Sequence, residues 1–346
     1  MTFYINGKFL QDENLAGVGR YGVEVIPRLL ACFPKAQILA PKNIPKKWKE
    51  TFPLVQFGRF RGAAWEQFDL PLFLRGKKEK LLNVANTAPL SYQHNFTVVH
   101  DIISLTNPEW YSLKARLYFR MLQPGSIRNS KHLFTVSHFS KREILRHFQL
   151  PSNHITVTPS AAGDFWRVDR SQKNQEGRYL LAVSSLDPRK NFSSLIKAFL
   201  KLKDNDLKLI IVGGSDKTFP QLKLPIPSEK AHLVKFTGFL PDEQLRHLYS
   251  HALAFVFPSL KEGFGAPAIE AMQCGCPVIA SDIPVLHEIC AEAALFADPY
   301  SIPSLREQIE RLINDSALRS QLQQKGFKRA ADFSWDLTAQ EVSKRL

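Results

Sequence analysis

The 346 residues predict an α/β protein built from two doubly wound, parallel-sheet domains, and three observations predict it. Short apolar runs bounded by turn residues alternate with helical stretches along the chain, the pattern of successive βαβ units. The length exceeds the roughly 250–300 residues at which single cores stop growing. The alternation also pauses once, at Phe165–Gly177, where the sequence is polar and charged with no apolar period and reads as an interdomain linker.

In the first half, strands are expected at Phe3–Ile5, Ala36–Leu39, Leu81–Val84, Thr97–Val99, Leu133–Val136 and Ile155–Val157, with helices at Gly19–Cys32, Leu113–Ser130 and Ser140–Phe148. The second half restarts with a strand at Tyr179–Val183. A helix Phe192–Leu202, a strand Leu207–Val212, a strand around Leu233–Phe236 and a helix Glu243–Ser250 follow. The apolar run Ala252–Phe257, a Gly-rich loop, a helix and the segment Gly275–Ser281 then spell strand, loop, helix, loop, strand. A last helical pattern covers Trp335–Leu346. The expected domains are residues 1–165, residues 178–332 and a C-terminal helix at 333–346.

Apolar residues make up 44% and charged residues 23%, as in an ordinary soluble protein. The formal charge of +14 is uneven: residues 1–165 carry 22 Lys/Arg against 11 Asp/Glu, and residues 166–346 carry 24 against 21. Basic clusters such as Pro41–Lys49 and Arg75–Lys80 attract phosphate, in nucleic acid or in anionic lipid headgroups. Cys32, Cys274, Cys276 and Cys290 lack zinc-site spacing, which fits a reduced, cytoplasmic protein. With no basic n-region leading into an apolar stretch, and no apolar run of about 18 residues, the chain is expected neither to be exported nor to span a membrane. Any membrane contact would be peripheral.

The chemistry concentrates in the second half. Glu262 falls on the Gly-rich loop and Glu270 on the helix after it, eight positions on. Carboxylates there can accept hydrogen bonds from sugar hydroxyls, while the amides of Gly263, Phe264 and Gly265 face an anion over the helix N-terminus. Ser184-Ser-Leu-Asp-Pro-Arg-Lys-Asn191 follows the first strand of this half, so Ser184 and Ser185 lead to the cations Arg189 and Lys190. A departing diphosphate needs that neutralisation. In the first half, His100-Asp101 ends a β-branched run, at the strand end where ligands collect, and Asp101 is placed to affect the ring's orientation and charge. Gly17-Val-Gly-Arg-Tyr21 precedes the first helix, where glycines admit close backbone approach to a ligand.

Taken together, Glu-x7-Glu beside Gly-Phe-Gly, Pro-Arg-Lys-Asn, His-Asp-Ile and Gly-x-Gly-Arg-Tyr resemble, in order, the motifs of family 4 retaining glycosyltransferases. The resemblance runs from about residue 14 to residue 345 and implies the GT-B fold: two Rossmann-like domains facing a cleft, with the C-terminal helix crossing back to the first. It implies Glu262 on donor-sugar hydroxyls, Glu270 on the ribose, Arg189 and Lys190 on the diphosphate, and His100 at the reacting end of the sugar. Gly17 and Gly19 would face the diphosphate, and Phe239 and Leu240 would hold the base. Arg20, Tyr21, Trp65, Glu66, Asn86 and Thr87 would line the acceptor side. Implied further are a saccharide or lipid-linked saccharide acceptor, no metal or other cofactor, and a nucleotide-sugar donor, GDP-mannose first and a UDP-sugar second. Val157-Thr-Pro-Ser-Ala-Ala-Gly163 departs from the Asn-Gly-Val-Asp of many relatives.

Other chemistries find less support. Asp204-Asn-Asp206 has the spelling of a metal-binding D-x-D, but it joins a Lys-rich helix end to a strand and reads as a solvated turn. No Walker loop, G-x-G-x-x-G after an early strand, or G-x-S-x-G elbow is present. A nucleic-acid-binding protein is the rival from another class. It is disfavoured because aromatic residues are not interleaved with the basic clusters as stacking platforms. An epimerase or phosphorylase of the same fold is the nearer rival.

Overall fold

The computed structural model describes residues 2–346 other than 14, 16, 172, 215–217 and 220–225. The chain divides into two units. Unit one comprises Met1–Thr106, Arg116–Ser160 and Trp335–Leu346, and unit two comprises Asn107–Ala115 and Ala161–Ser334.

Unit one is built on a seven-stranded parallel sheet. Its strands are β1 Tyr4–Asn6, β2 Gln37–Pro41, β3 Leu54–Phe57, β4 Leu81–Asn83, β5 Asn95–Val98, β6 Ser130–Thr135 and β7 Ile155–Val157, in the order β3-β2-β1-β4-β5-β6-β7. Central strands β1, β4 and β5 are buried at every residue, as a parallel sheet covered on both faces requires. Helices α1 Gly17–Cys32, α2 Leu113–Arg128 from Arg116 onward, and α3 His138–Phe148 accompany it. Ser137 caps α3, its hydroxyl accepting from the Ser140 amide at 2.9 Å, and the helix stops where Gln149 turns left-handed ahead of Pro151. The C-terminal helix Trp335–Ser343 belongs to this unit. Its Trp335 meets the Tyr21 ring edge-on at 5.6 Å, Asp336 pairs with Arg28 at 2.6 Å, and the Thr338 hydroxyl donates to the Pro159 carbonyl.

Unit two carries a six-stranded parallel sheet of β8 Arg178–Val183, β9 Leu207–Val212, β10 Val234–Gly238, β11 Ala254–Phe257, β12 Val278–Ser281 and β13 Ala294–Ala297, ordered β10-β9-β8-β11-β12-β13. Its helices are α4 Phe192–Phe199, α5 Asp242–His251, α6 Ala266–Gln273, α7 Pro284–Cys290, α8 Ile302–Asn314 and α9 Ser316–Ala330. One continuous core joins Leu180, Leu195, Leu209, Val256, Ile279 and Ile309.

The expected linker is a difference of substance. Phe165–Gly177 lies within unit two rather than between domains. Trp166 is fully buried and meets Tyr249 edge-on at 5.7 Å, and Asp169 pairs with Arg246 at 3.0 Å. The polar composition concealed one anchoring aromatic, and truncating such a side chain costs about 3–5 kcal/mol. Strands β3 and β13 and helices α7 to α9 extend the expected set.

Candidate active site

In each sheet the strand order reverses at one point, between β8 and β11 in unit two and between β1 and β4 in unit one. Ligands of open α/β sheets bind outside the carboxyl ends of the strands at such points. A buried polar cluster stands at each.

In unit two the loop after β8 delivers Asp187, Arg189 and Lys190, and the loop after β11 delivers Glu262. Glu262 accepts from Arg189 Nη1 at 2.9 Å and from Lys190 Nζ at 2.6 Å, and all three side chains are largely withdrawn from solvent. Arg189 Nη1 also donates to the Lys261 carbonyl at 2.9 Å, and Arg189 Nη2 lies 3.7 Å from Asp187, a fully buried carboxylate that accepts from Ser185 Oγ at 2.9 Å. Asn191, in left-handed backbone at φ 57°, ties the loop down by donating to the Pro258 and Pro299 carbonyls. Burial alone would raise the Glu262 pKa, but Arg189 and Lys190 outweigh it and hold the carboxyl at about 2. Burial and the neighbouring guanidinium push Lys190 below the usual lysine range, against the pull of Glu262. Two cations thus share Glu262, and a second buried carboxylate, Asp187, stands beside the guanidinium. Both cations are of the kind that donates charge-assisted hydrogen bonds to an oxyanion.

The other residues expected in this half lie on the neighbouring segments of the same unit. Gly265 caps α6 with φ 101°, and a Cβ there would meet the Leu286 side chain at 2.8 Å. Phe264 is buried against Phe333, edge-on at 5.4 Å, and Gly263 is buried beside it. Glu270 is buried in the second turn of α6, deeper in the helix than a first-turn acid stabilised by the dipole. Ser184 follows β8, its amide donating to the Val212 carbonyl at 3.0 Å. Phe239 stands 63% exposed just beyond β10, with Leu240 half-buried next to it.

In unit one, His100 is buried past the end of β5. Its Nε2 lies 3.0 Å from the Val84 carbonyl, which can only accept, so Nε2 carries a proton. Burial lowers its pKa despite the Val84 carbonyl and Asp101, so the neutral ring keeps Nδ1 as an acceptor. The orienting role expected of Asp101 is corrected. Its Oδ1 accepts from the Ile103 amide at 2.9 Å, and the ring is instead set by Val84 and by the edge of Tyr21 at 5.2 Å. Asn86, half-buried at φ 64°, accepts from the His100 amide at 2.7 Å and so fixes the strand end.

Two aromatic acceptor residues are corrected also. Tyr21 is fully buried, its hydroxyl bonded to Thr158 at 2.9 Å and its pKa raised by burial, and Trp65 is fully buried in a cluster with Leu70, Leu74 and Leu81. Neither presents a surface to a ligand. Gly17 and Gly19 lie inside α1, where a Cβ on Gly19 would strike Leu15 at 2.7 Å, so close packing accounts for it; Arg20 is half-buried in the same turn.

Glu66 and Thr87 meet at the unit-one reversal point with residues that sequence reasoning missed. Fully buried Glu66 accepts from Asn6 at 2.8 Å, Lys8 at 2.8 Å and Thr87 at 2.9 Å, and Lys8 Nζ also donates to Thr87 at 2.7 Å and Tyr118 at 3.1 Å. Burial works against the Lys8 charge, but Glu66 and Tyr118 prevail and raise its pKa. Lys8 just after the first strand was the available signal, as was Asp187 inside the loop already singled out.

Among the described residues, no group of three or more His, Cys, Asp or Glu is placed to hold a metal ion. Asp204 pairs with Arg178 at 2.9 Å and accepts from the Asp206 amide, so the D-x-D spelling forms a turn. Burial raises Cys274 and Cys290 to about 12, and among the described residues no helix is long and apolar enough to cross a membrane.

Comparison with known proteins bears on these sites. The profile of glycosyl transferases group 1 matches residues 166–329, which hold the Asp187–Glu262 cluster and Glu270. O-antigen chain mannosyltransferase B of Escherichia coli is 30% identical over 93% of this chain and 93% of its own, and O-antigen chain mannosyltransferase RfbU of Salmonella typhimurium is 33% identical over 73% and 72%. The solved structure of WaaG, a glycosyltransferase involved in lipopolysaccharide biosynthesis, aligns over 100% of this chain and 99% of that one, with a TM-score of 0.76 at 14% identity. Likeness over nearly the full length of both chains, with both sheets parallel as expected, leaves one assignment: the chain belongs to the group 1 glycosyl transferases and is a glycosyltransferase of the GT-B fold.

Proposed function

We propose that the chain moves mannose from GDP-mannose to a hydroxyl of a saccharide or lipid-linked saccharide, with retention and without a metal ion, in the synthesis of a cell-surface polysaccharide. One observation carries the reading: Arg189 and Lys190 are buried side by side on Glu262, with Asp187 next to the guanidinium, at the reversal point of unit two. Two such cations, preorganised in a dry site, stabilise charge growing on a departing nucleoside diphosphate, an effect able to supply several kcal/mol. Glu262 stays ionised, and a carboxylate has about four acceptor positions, so it can hold sugar hydroxyls while bonded to both cations. Glu270 takes the ribose hydroxyls, and the exposed ring of Phe239, with Leu240, takes the base.

Transfer is front-face. The acceptor attacks on the side from which the diphosphate leaves, so no carboxylate acts as a covalent nucleophile. His100, neutral with Nδ1 as acceptor, is assigned the reacting end of the sugar. Lys8 and Tyr118, half-buried and held by the buried Glu66 and Thr87, are assigned the acceptor side. The mannosyltransferase relatives support the donor sugar and the polysaccharide context. The basic first half supports peripheral contact with anionic membrane at its cytoplasmic face.

A panel of nucleoside diphosphates and nucleotide sugars tests the donor by thermal stabilisation, since ligand at 100 times its Kd adds roughly 2.7 kcal/mol. GDP and GDP-mannose should give the largest shift, and preference for a uridine ligand would replace the donor with a UDP-sugar. Proton and one-bond carbon–proton couplings of the product report its anomeric configuration. A β-linked product would overturn retention and make His100 the general base.

A further inference from the structure

One segment packs where the connectivity of the second sheet does not require it. Asn107–Ala115 follows Thr106 and precedes Arg116, both of unit one, yet it belongs to unit two. Within it Pro108–Trp110 forms a 3-10 turn, started by the fixed φ of Pro108 and closed by the Tyr111 amide on the Pro108 carbonyl at 3.0 Å. The Asn107 side chain braces the same turn by donating to Glu109 Oε1 at 3.2 Å.

The two ends of this stretch rest on different loops. At one end the Asn107 side-chain oxygen accepts from Lys261 Nζ at 3.1 Å, on the loop after β11. At the other the Ser112 amide donates to the Thr218 carbonyl at 2.8 Å, and the buried ring of Tyr111 lies 5.3 Å from that of Phe219, both partners on the segment after β9. In the sheet β9 and β11 flank β8, so the anchors leave the sheet on either side of the loop that carries Arg189 and Lys190. Strands two apart are separated by on the order of 10 Å, a distance that Asn107–Ser112 spans even with a turn in it. The stretch is a strap across the carboxyl ends of β9, β8 and β11.

Its Lys261 anchor leads to the cation cluster. The Lys261 carbonyl accepts from Arg189 Nη1 at 2.9 Å, and the Leu260 amide donates to the Arg189 carbonyl at 2.8 Å. One short stretch of backbone thus fixes Arg189 at its main chain and at its guanidinium, and Asn107 holds that stretch through a charge-assisted hydrogen bond. A guanidinium that must meet phosphate oxygens with a rigid fork loses more by misplacement than a flexible ammonium does. We propose that Asn107–Ser112 is a strap of the donor site, with Asn107 and Tyr111 as positioning residues that set the loops of Arg189 and Glu262 for the diphosphate of the nucleotide-sugar. The proposal rests on the reading of Arg189 as a diphosphate ligand and adds residues that act through Lys261 and Phe219.

Titration calorimetry with GDP and with UDP tests it on the full chain. Asn107→Ala should weaken binding of the preferred diphosphate about tenfold, the lower end of what a hydrogen bond to a charged group supports, and Tyr111→Leu should act in the same direction. Asn107→Asp keeps an acceptor oxygen for Lys261 and should bind like the parent. Asn107→Ala placed in a Lys261→Met background should cost nothing further, because the two side chains act as one bond, a pattern that a general loss of structure does not give. Arg189→Met is the reference and should abolish binding. Parent-like affinity in Asn107→Ala and Tyr111→Leu, with loss in Arg189→Met, would overturn the strap and leave the diphosphate reading standing. Additive losses in the Asn107 and Lys261 pair would overturn their bond as the route. Parent-like binding by Arg189→Met would overturn the diphosphate reading and the strap with it.

Discussion

Replacing Glu262 by Gln keeps the shape of the side chain and removes the charge shared by Arg189 and Lys190 at 2.9 and 2.6 Å. The cost follows from the carboxyl, held at about 2 in the folded protein against an ordinary value of 4.5. That gap corresponds to about 3 kcal/mol of stability at neutral pH. For a unit of this length the unfolding midpoint should fall by about 6–12 °C. The sign fixes the pH window. A carboxylate with a depressed folded pKa stabilises fully above its unfolded value and loses that contribution as pH falls toward its folded value. The difference between parent and Glu262→Gln should therefore be flat above about pH 5 and shrink between pH 4.5 and 2. Scanning calorimetry of both proteins at half-unit pH steps reads it directly. A difference absent at pH 7, or one that persists undiminished to pH 2.5, would refute the claim that Glu262 is the counter-ion of the two cations.

Three further outcomes are expected. Glu270→Ala should weaken nucleoside diphosphate binding by roughly 1.5–3 kcal/mol, the worth of a hydrogen bond to a charged group, and calorimetric affinity equal to the parent's would remove Glu270 from the ribose. Tyr21→Phe should cost about 1 kcal/mol through loss of the bond to Thr158 and leave the acceptor KM unchanged, because the ring is buried; a raised KM would return Tyr21 to the acceptor side. Turnover should be indifferent to chelator, and loss restored by manganese would contradict metal-free catalysis.

Much of this protein is legible in its sequence, and the failures have identifiable physics. Parallel strands such as Ala254–Phe257 are buried on both faces and therefore read as unbroken apolar runs. Helix α8 was equally open to reading, with Ser301 as its cap and Leu305, Ile309 and Leu312 on one face. Short β3 and β13 offered too few residues for a period. At the sites, the sequence places charged residues at strand ends, as with Arg189 and Lys190. It does not say which aromatic faces the core, so the acceptor-side places that the resemblance implied for Tyr21 and Trp65 stood until their burial was seen. Nor does it show partners distant in the chain: Lys8 and Glu66 are 58 residues apart, and only the reversal of the sheet brings them together.

Unit one is discontinuous, and its last piece, Trp335–Leu346, follows unit two along the chain. Trp335 covers Tyr21, Thr338 reaches the Pro159 carbonyl, and Lys80 Nζ donates to the Leu346 carbonyl oxygen. During synthesis the amino-terminal sheet therefore emerges first and waits, with the Tyr21 side of α1 uncovered, until all of unit two has been made. Domains generally fold as units in the order in which they leave the ribosome, but here the continuous unit can finish before the one that began. The first half is left as an unfinished surface for longest, and a chain cut before Trp335 would keep a complete unit two and an uncapped unit one.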